Sequence, residues 1–403
     1  MQRNLSLPFL LFALTILLVM CSEESNPQFE ADNFTRVYDN NQFNALYAPI
    51  DIQQTPDGGY LILASMRIDT VTTESFYRIY LLKTDKYGKF VKELELDPEF
   101  ANAVPSLINI GEQYYFVCMD QTVAAKLMTV SPEGDIVATT DMGLTYPMAI
   151  AKDGETGLVC LSYNNYDKKT VISTINTEGK VLKSQTFDLG PGGEDDIEKE
   201  VIESFMINGR KFPYFVGSIS SNSYFFNGFN NYTLSLTFTN LNTPTGMIQG
   251  QQNSGGMSAL VPLGGGRFAG ARFNFSENYL LPRLAIETSG TKQATSLEGF
   301  NLPEVIANSP VKILPITVDD KNVIVYAVNT ESRQIGLLFY DQATGAFISS
   351  RYLGFSNPYE IGSLLQTKDG GLAVSGTTYV AGRFSRVCLF KFSKAELAKN
   401  VNR

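Results

Sequence analysis

Ile50-Asp51-Ile52-Gln53-Gln54-Thr55, then Pro56-Asp57-Gly58-Gly59, then Tyr60-Leu61-Ile62-Leu63-Ala64-Ser65 follow one another without a break, and their reading decides the fold. Two apolar runs flank a turn that carries paired glycines, the pattern of a tight β-hairpin. Beyond a polar loop come Tyr77-Arg78-Ile79-Tyr80-Leu81-Leu82-Lys83, the turn Asp85-Lys86-Tyr87-Gly88, and Phe90-Val91-Lys92-Glu93-Leu94-Glu95-Leu96. Pro49 to Leu96 therefore predicts a four-stranded antiparallel meander. Such a unit cannot bury both faces alone and has to stack on copies of itself.

The copies are present. Gln366-Thr367-Lys368-Asp369-Gly370-Gly371-Leu372 repeats Gln54 to Tyr60 almost residue for residue. Weaker forms of the first turn occur at Ile110-Gly111-Glu112, Lys152-Asp153-Gly154, Ile207-Asn208-Gly209, Leu263-Gly264-Gly265-Gly266 and Val318-Asp319-Asp320. The second turn recurs at Ser131-Pro132-Glu133-Gly134, Asn176-Thr177-Glu178-Gly179, Glu287-Thr288-Ser289-Gly290 and Asp341-Gln342-Ala343-Thr344-Gly345, with a looser form ending at Gly246. Gly, Asn and Asp serve at these points because they accept positive φ at low cost.

Seven first turns stand against six second turns. The missing outer strand has its candidate at the other end of the chain, Phe34-Thr35-Arg36-Val37-Tyr38. A period of about 50 residues repeated in this way predicts an all-β fold, a seven-bladed β-propeller closed by an N-terminal strand. The expected organisation is a signal segment at 1–20, a polar tether at 21–32, one propeller domain at 33–397 and a tail at 398–403.

Of the 403 residues, 44% are hydrophobic, enough for a large core, and the net charge of −9 leaves no basic stripe for phosphates. Nucleic acid is therefore not an expected partner. Leu5 to Met20 is an apolar run behind Arg3, too short to span a bilayer and long enough for a signal-peptide core. It ends in Leu18-Val19-Met20-Cys21, which resembles the lipobox of bacterial lipoproteins; Leu18 and Val19 fit the pattern and Met20 departs from it. The resemblance implies lipid attachment at Cys21 and a membrane association through that anchor. Glu23 and Glu24, just after the cysteine, resemble the acidic tags with which some bacterial lipoproteins reach the outer surface. Cys118, Cys160 and Cys388 sit inside predicted strands and are expected as buried free thiols.

Histidine is absent, which removes Ser-His-Asp and Cys-His catalysis and imidazole metal sites. Tryptophan is absent too, which excludes propeller repeats that depend on it. Carboxylate chemistry or calcium ligation stays open with 41 acidic residues. No residue pattern points to a catalytic group, a metal site or a cofactor. The acidic cluster Glu194-Asp195-Asp196, with Glu198 and Glu200, lacks the alternating spacing of a calcium loop.

The segment from Ser218 to Thr233 mixes aromatics with Asn, Ser and Gly. It reads either as a recognition loop or as a long strand packed between blades. On the loop reading, Tyr224, Phe225, Phe226, Phe229 and Tyr232 anchor a protein partner, beside the carboxylates of Glu194, Asp195 and Asp196.

The Thr-x-Asp-Gly-Gly-Tyr/Leu pattern, at Thr55 to Ser65 and Thr367 to Gly376, resembles repeats of secreted and surface propeller proteins of bacteria. That resemblance implies a propeller at the cell surface and carries over no catalytic residue. The expected function is a surface-anchored outer-membrane lipoprotein whose propeller is a binding or assembly scaffold for another envelope protein. The alternative is a carboxylate-based glycan hydrolase or lyase using calcium. Two acidic residues converging with a Tyr or Arg in the central funnel would favour the enzyme, and an exposed aromatic patch at a rim would favour the scaffold.

Overall fold

The computed structural model describes residues 32–402 apart from 41, 43, 69–75, 191–213, 252–254, 276, 308 and 381–383. Asn33–Arg403 forms one compact unit. Its strands make seven sheets, each a blade of a β-propeller. Blade one is Ala45–Gln54, Tyr60–Ile68, Arg78–Thr84 and Phe90–Glu95, in the order read from the template. Blade two splits its first strand into Phe100–Ala101 and Ile108–Ile110, followed by Gln113–Asp120, Ala124–Val130 and Ile136–Thr145. Blade three is Pro147–Asp153, Gly157–Asn164, Lys169–Asn176 and Val181–Asp188.

Blade four is Phe215–Ser220, Ser223–Asn230, Thr233–Thr239 and Pro244–Gln249, and blade five is Gly255–Gly264, Arg267–Asn274, Glu277–Ala285 and the short Phe300–Asn301. Blade six is Lys312–Val318, Lys321–Asn329, Ile335–Asp341 and Phe347–Leu353. Blade seven takes Tyr359–Gln366, Leu372–Tyr379 and Ser385–Phe392 from the end of the chain and Phe34–Tyr38 from its beginning. Phe34 pairs with Lys391 and Tyr38 with Val387, so the N-terminal strand fills the place that the turn count left open.

Apolar clusters fill the seams between consecutive blades. Tyr60, Ile62, Val387 and Leu389 meet between blades seven and one, and Leu61, Leu63, Phe116 and Met128 between blades one and two. Because second and third strands are covered by a neighbour on each side, they read as continuous apolar runs. Fourth strands face solvent on the circumference, and Val181–Asp188 alternates accordingly. Cys118, Cys160 and Cys388 are buried free thiols, as expected from their place in strands.

The Asp-Gly-Gly turn has a physical cause in each template copy. Gly58 has φ +84°, and a Cβ at Gly59 would lie 2.1 Å from the Thr84 carbonyl. Asp57 Oδ1 accepts from the Gly59 N–H at 3.0 Å, and its Oδ2 takes Lys83 Nζ at 2.8 Å. Lys83 is buried inside an apolar strand and also donates to Thr55 Oγ1 and the Thr84 carbonyl, both at 2.9 Å. Blade seven repeats this with Lys391 Nζ, 2.8 Å from Asp369 Oδ2 and 3.0 Å from the Phe392 carbonyl. The lysine that holds each turn was missed in the sequence, although a charge between Leu82 and Thr84, or between Phe390 and Phe392, is its signal.

Several expectations are corrected. In blade four the first turn is Ser221-Asn222, with Asn222 at φ +61°, and Asn208-Gly209 lies outside the described residues. Tyr224 to Asn230 is consequently the second strand rather than a connection, and only Asn231 and Tyr232 form the turn that follows. Gly246 makes no turn: it pairs with Phe238 in the fourth strand and lets Thr288 approach, since a Cβ there would lie 2.7 Å from that backbone. The chain after Glu287 does not return to blade five until Phe300–Asn301, which pairs with Tyr279 and Leu280. Gly290–Gln293 instead adds in parallel to the edge of blade four.

The boundary read between 397 and 398 falls inside a helix, Lys394–Val401. Ser393 Oγ accepts from the Glu396 N–H at 3.3 Å, and Leu397 and Val401 are buried in the seam of blades six and seven. The readings of residues 1–31 lie outside the described residues. Among the described residues no helix is long and apolar enough to cross a membrane.

The buried lysines fix the acid response. Burial raises the Asp57 carboxyl, but hydrogen bonds from Lys83, Thr55 and the Gly59 N–H outweigh it and bring the pKa to about 2. Asp369 is lowered by the same set against the same burial. A carboxylate lowered in the fold adds stability above its unfolded pKa, roughly 4, and that stability is lost as pH falls through the folded value. The double variant Asp57→Asn with Asp369→Asn should be less stable at pH 6 and lose less of its melting temperature between pH 4 and 2. Parallel parent and variant curves over that window would contradict this.

Candidate functional site

First strands line the central channel, and three connected cavities run along it. The first, about 270 Å³, lies among Pro105, Tyr214, Ser258, Leu260, Ser309 and Lys312. The second, about 340 Å³, shares Pro105, Ser309 and Lys312 with it and continues to Pro49, Asn329 and Glu360. The third, about 400 Å³, is the mouth between blades seven and one, lined by Arg67, Tyr77, Glu360, Tyr379 and Ser385. Among the described residues Glu360 is the one carboxylate in these three linings.

At the mouth, Arg67 Nη1 donates to Tyr77 OH at 3.3 Å, and Tyr379 OH donates to Glu360 Oε1 at 3.3 Å. Burial, then the Glu360 charge, push the Tyr379 hydroxyl up to about 12, so it stays a donor at neutral pH. Arg67 and Tyr379 each stand ten residues beyond the turn aspartate, Asp57 and Asp369. That shared place in the two best template copies was the available signal for the site, and the sequence reading passed over it.

Asp51 is the second acidic group near the channel, and its oxygens are taken. Oδ1 accepts from Ser363 Oγ at 2.6 Å and the Ile52 N–H at 2.9 Å, and Oδ2 from the Leu107 N–H at 2.7 Å. Burial raises its pKa, against the Ser363 hydrogen bond and the Lys312 charge. The carboxylate therefore ties blades seven, one and two together.

The face around the mouth carries the turns between second and third strands. Consecutive blades three, four and five each show an exposed ring there: Tyr166 at 91%, Tyr232 at 37% and Phe275 at 65%. Tyr232 sits at φ +69° and Phe275 at φ +52°, in the left-handed region that bulky residues rarely occupy. Tyr232 is held by its N–H, which donates to the Leu189 carbonyl at 2.8 Å.

The other partner-binding residues read from the sequence fall elsewhere. Tyr224, Phe225, Phe226 and Phe229 are buried in their strand, Tyr224, Phe226 and Phe229 in the cluster shared with blade three and Phe225 in the one shared with blade five. Phe226 packs on Phe187 of blade three with ring centroids 4.7 Å apart, and Phe225 turns the other way, towards the seam with blade five. Glu194, Asp195 and Asp196 lie outside the described residues. Among the described residues no group of three or more acidic or Cys side chains is placed to hold a metal ion.

No protein-family model matches the chain, and no curated protein matches it. Solved structures resemble it in fold. The β-propeller domain of the Trilobed protease from Pyrococcus furiosus is 9% identical, with TM-score 0.49 over 88% of this chain and 98% of that one. BamB from Moraxella catarrhalis is 11% identical, with TM-score 0.42 over 89% and 98%. The NanB sialidase from Streptococcus pneumoniae is 9% identical, with TM-score 0.48 over 90% and 71%. Such likeness is one of architecture and transfers no activity.

If Asp51 is a tie between blades, Asp51→Ala leaves a buried N–H and a hydroxyl without an acceptor. Thermal or denaturant unfolding should show a loss of about 2–4 kcal/mol. A variant as stable as the parent would overturn the structural role of this carboxylate.

Proposed function

We propose that this chain is a lipid-anchored protein of a bacterial outer membrane, exposed at the cell surface, whose propeller is a scaffold for an envelope protein partner. The observation that carries the reading is the row of exposed rings Tyr166, Tyr232 and Phe275 on one face of three consecutive blades. An exposed ring adds little to folding, and two of these three sit on left-handed backbone that costs about 1–2 kcal/mol. Large rings with a polar handle or edge are the groups that centre protein interfaces. Glu194, Asp195 and Asp196 belong to the connection that enters blade four, and in this reading they orient the partner by charge. The anchor rests on the apolar run and on Leu18-Val19-Met20-Cys21.

Glycan hydrolysis has less support. It needs two carboxyl groups about 5–10 Å apart and free to act, and among the described residues the linings of the channel cavities offer Glu360 alone.

A photo-crosslinking amino acid placed in living cells at position 166, 232 or 275 should trap the same partner, while positions 90 and 347, exposed at the other ends of the blades, should trap none. Tyr166→Ser with Phe275→Ser should keep stability within about 0.5 kcal/mol per site and weaken capture of the partner. Equal trapping from both faces, or none from the three tips, would remove the scaffold reading. For the anchor, Cys21→Ala should move the protein from the membrane to the soluble fraction, and unchanged fractionation would contradict lipid attachment.

A further inference from the structure

The mouth between blades seven and one holds a cation and an anion that do not pair with each other. Arg67, from the second strand of blade one, and Glu360, from the first strand of blade seven, line the same cavity of about 400 Å³. Arg67 donates from Nη1 to Tyr77 OH at 3.3 Å, and its Cζ stands 5.6 Å from the centroid of that ring. Glu360 Oε1 accepts from Tyr379 OH at 3.3 Å. Among the described residues, Nε and Nη2 of Arg67 meet no acceptor and no cation pairs with Glu360. Arg67 is half-buried and Glu360 exposed, so both are open to solvent. Lys312, the cation of the next cavity inward, is outside this lining. The other charges of this seam are spent on contacts, Lys391 on Asp369 and Arg386 on Asp39, which leaves this pair without a structural use.

We propose that the mouth binds a short peptide with both termini free, its carboxylate on Arg67 and its ammonium on Glu360. Each charge fixes one end. A guanidinium offers parallel N–H donors that match the two oxygens of a carboxylate, and the open Nε and Nη2 of Arg67 form such a fork. An ammonium brings three donors on a compact charge, which the lone pairs of Glu360 receive. A ligand of one sign would gain one wall and meet like charge at the other, whereas a zwitterion satisfies both. The size fits: about 400 Å³ falls within the roughly 300–1,000 Å³ of small-ligand sites. The ends of an extended dipeptide lie roughly 7 Å apart, which suits charges that share a cavity without pairing. Leu46 and Ala48 of the first strand of blade one complete the lining and favour small apolar side chains. This site is independent of the exposed rings, since Tyr166, Tyr232 and Phe275 belong to blades three to five, on the other side of the ring.

Calorimetric titration of the purified full-length protein with alanyl-alanine, its amide and its N-acetyl form tests this. Alanyl-alanine should bind saturably at one site, at least about tenfold more tightly than either capped form, because each cap removes one charge-assisted contact. Arg67→Gln should weaken alanyl-alanine at least about tenfold without weakening the amide. Glu360→Gln should do the same without weakening the acetyl form. A variant that lost its fold would weaken all three ligands, so the capped forms separate lost charge from lost structure. Absence of saturable alanyl-alanine binding would overturn the proposal. A parent that binds the capped forms as tightly as the free peptide would overturn it too, whether or not the variants fold.

Discussion

A fully buried guanidinium, Arg386, holds the place where the ring would otherwise come apart. It stands in the third strand of blade seven and reaches the connection between the closing strand and blade one. Nε donates to Asp39 Oδ1 at 2.7 Å, Nη1 to the Ala45 carbonyl at 2.7 Å and Nη2 to the Gln42 carbonyl at 3.0 Å. A buried charge is tolerable only when its donors are met, and here each nitrogen has an acceptor. Nearby, Ser385 Oγ bridges the N–H and carbonyl of Tyr47, each at 3.1 Å, and Ser363 reaches Asp51. In the other six blades the outer strand follows the third along the chain. In blade seven it comes from the opposite terminus, so polar ties from the third strand to the segment that leaves the outer strand supply the alignment that chain continuity supplies elsewhere.

The template made most of this architecture legible. Its turns need glycine for reasons of φ and close approach, so they survive in the sequence as countable marks, and their mismatch in number located the closing strand. Blade four was misread because its second strand is buried on both faces. Such a strand has no alternation to announce it, and Asn227 and Gly228 between its aromatics looked like loop chemistry. Asn227 is in fact buried, its Nδ2 donating to the Met257 carbonyl at 2.9 Å. The aromatics were correctly singled out as unusual, and their role is in the core. Tyr232, one residue past the strand's end and its neighbour Asn231, is the member of that group that reaches solvent.

The channel was less legible than the fold. Arg67 comes from blade one, and Glu360 and Tyr379 from two strands of blade seven, and nothing in a linear chain reports that these strand ends converge on one mouth. The buried Lys83 and Lys391 show the same limit from the structural side, since each serves a turn that is distant in sequence. What the geometry adds is a division of labour. Asp51 and Arg386 spend their charge on holding blades together, whereas Lys312, Glu360 and the exposed rings occupy the channel and the face around its mouth.

Native-state hydrogen exchange tests the closure directly. Buried core strands open only with the whole domain, while frayed edges exchange through local openings of low free energy. If Phe34–Tyr38 is an integral strand held through Arg386, its bonded amides should exchange with the same free energy and denaturant dependence as those of Val387 to Lys391. Fast, denaturant-independent exchange in Phe34–Tyr38, with the rest of blade seven still protected, would contradict a ring that depends on its N-terminal strand.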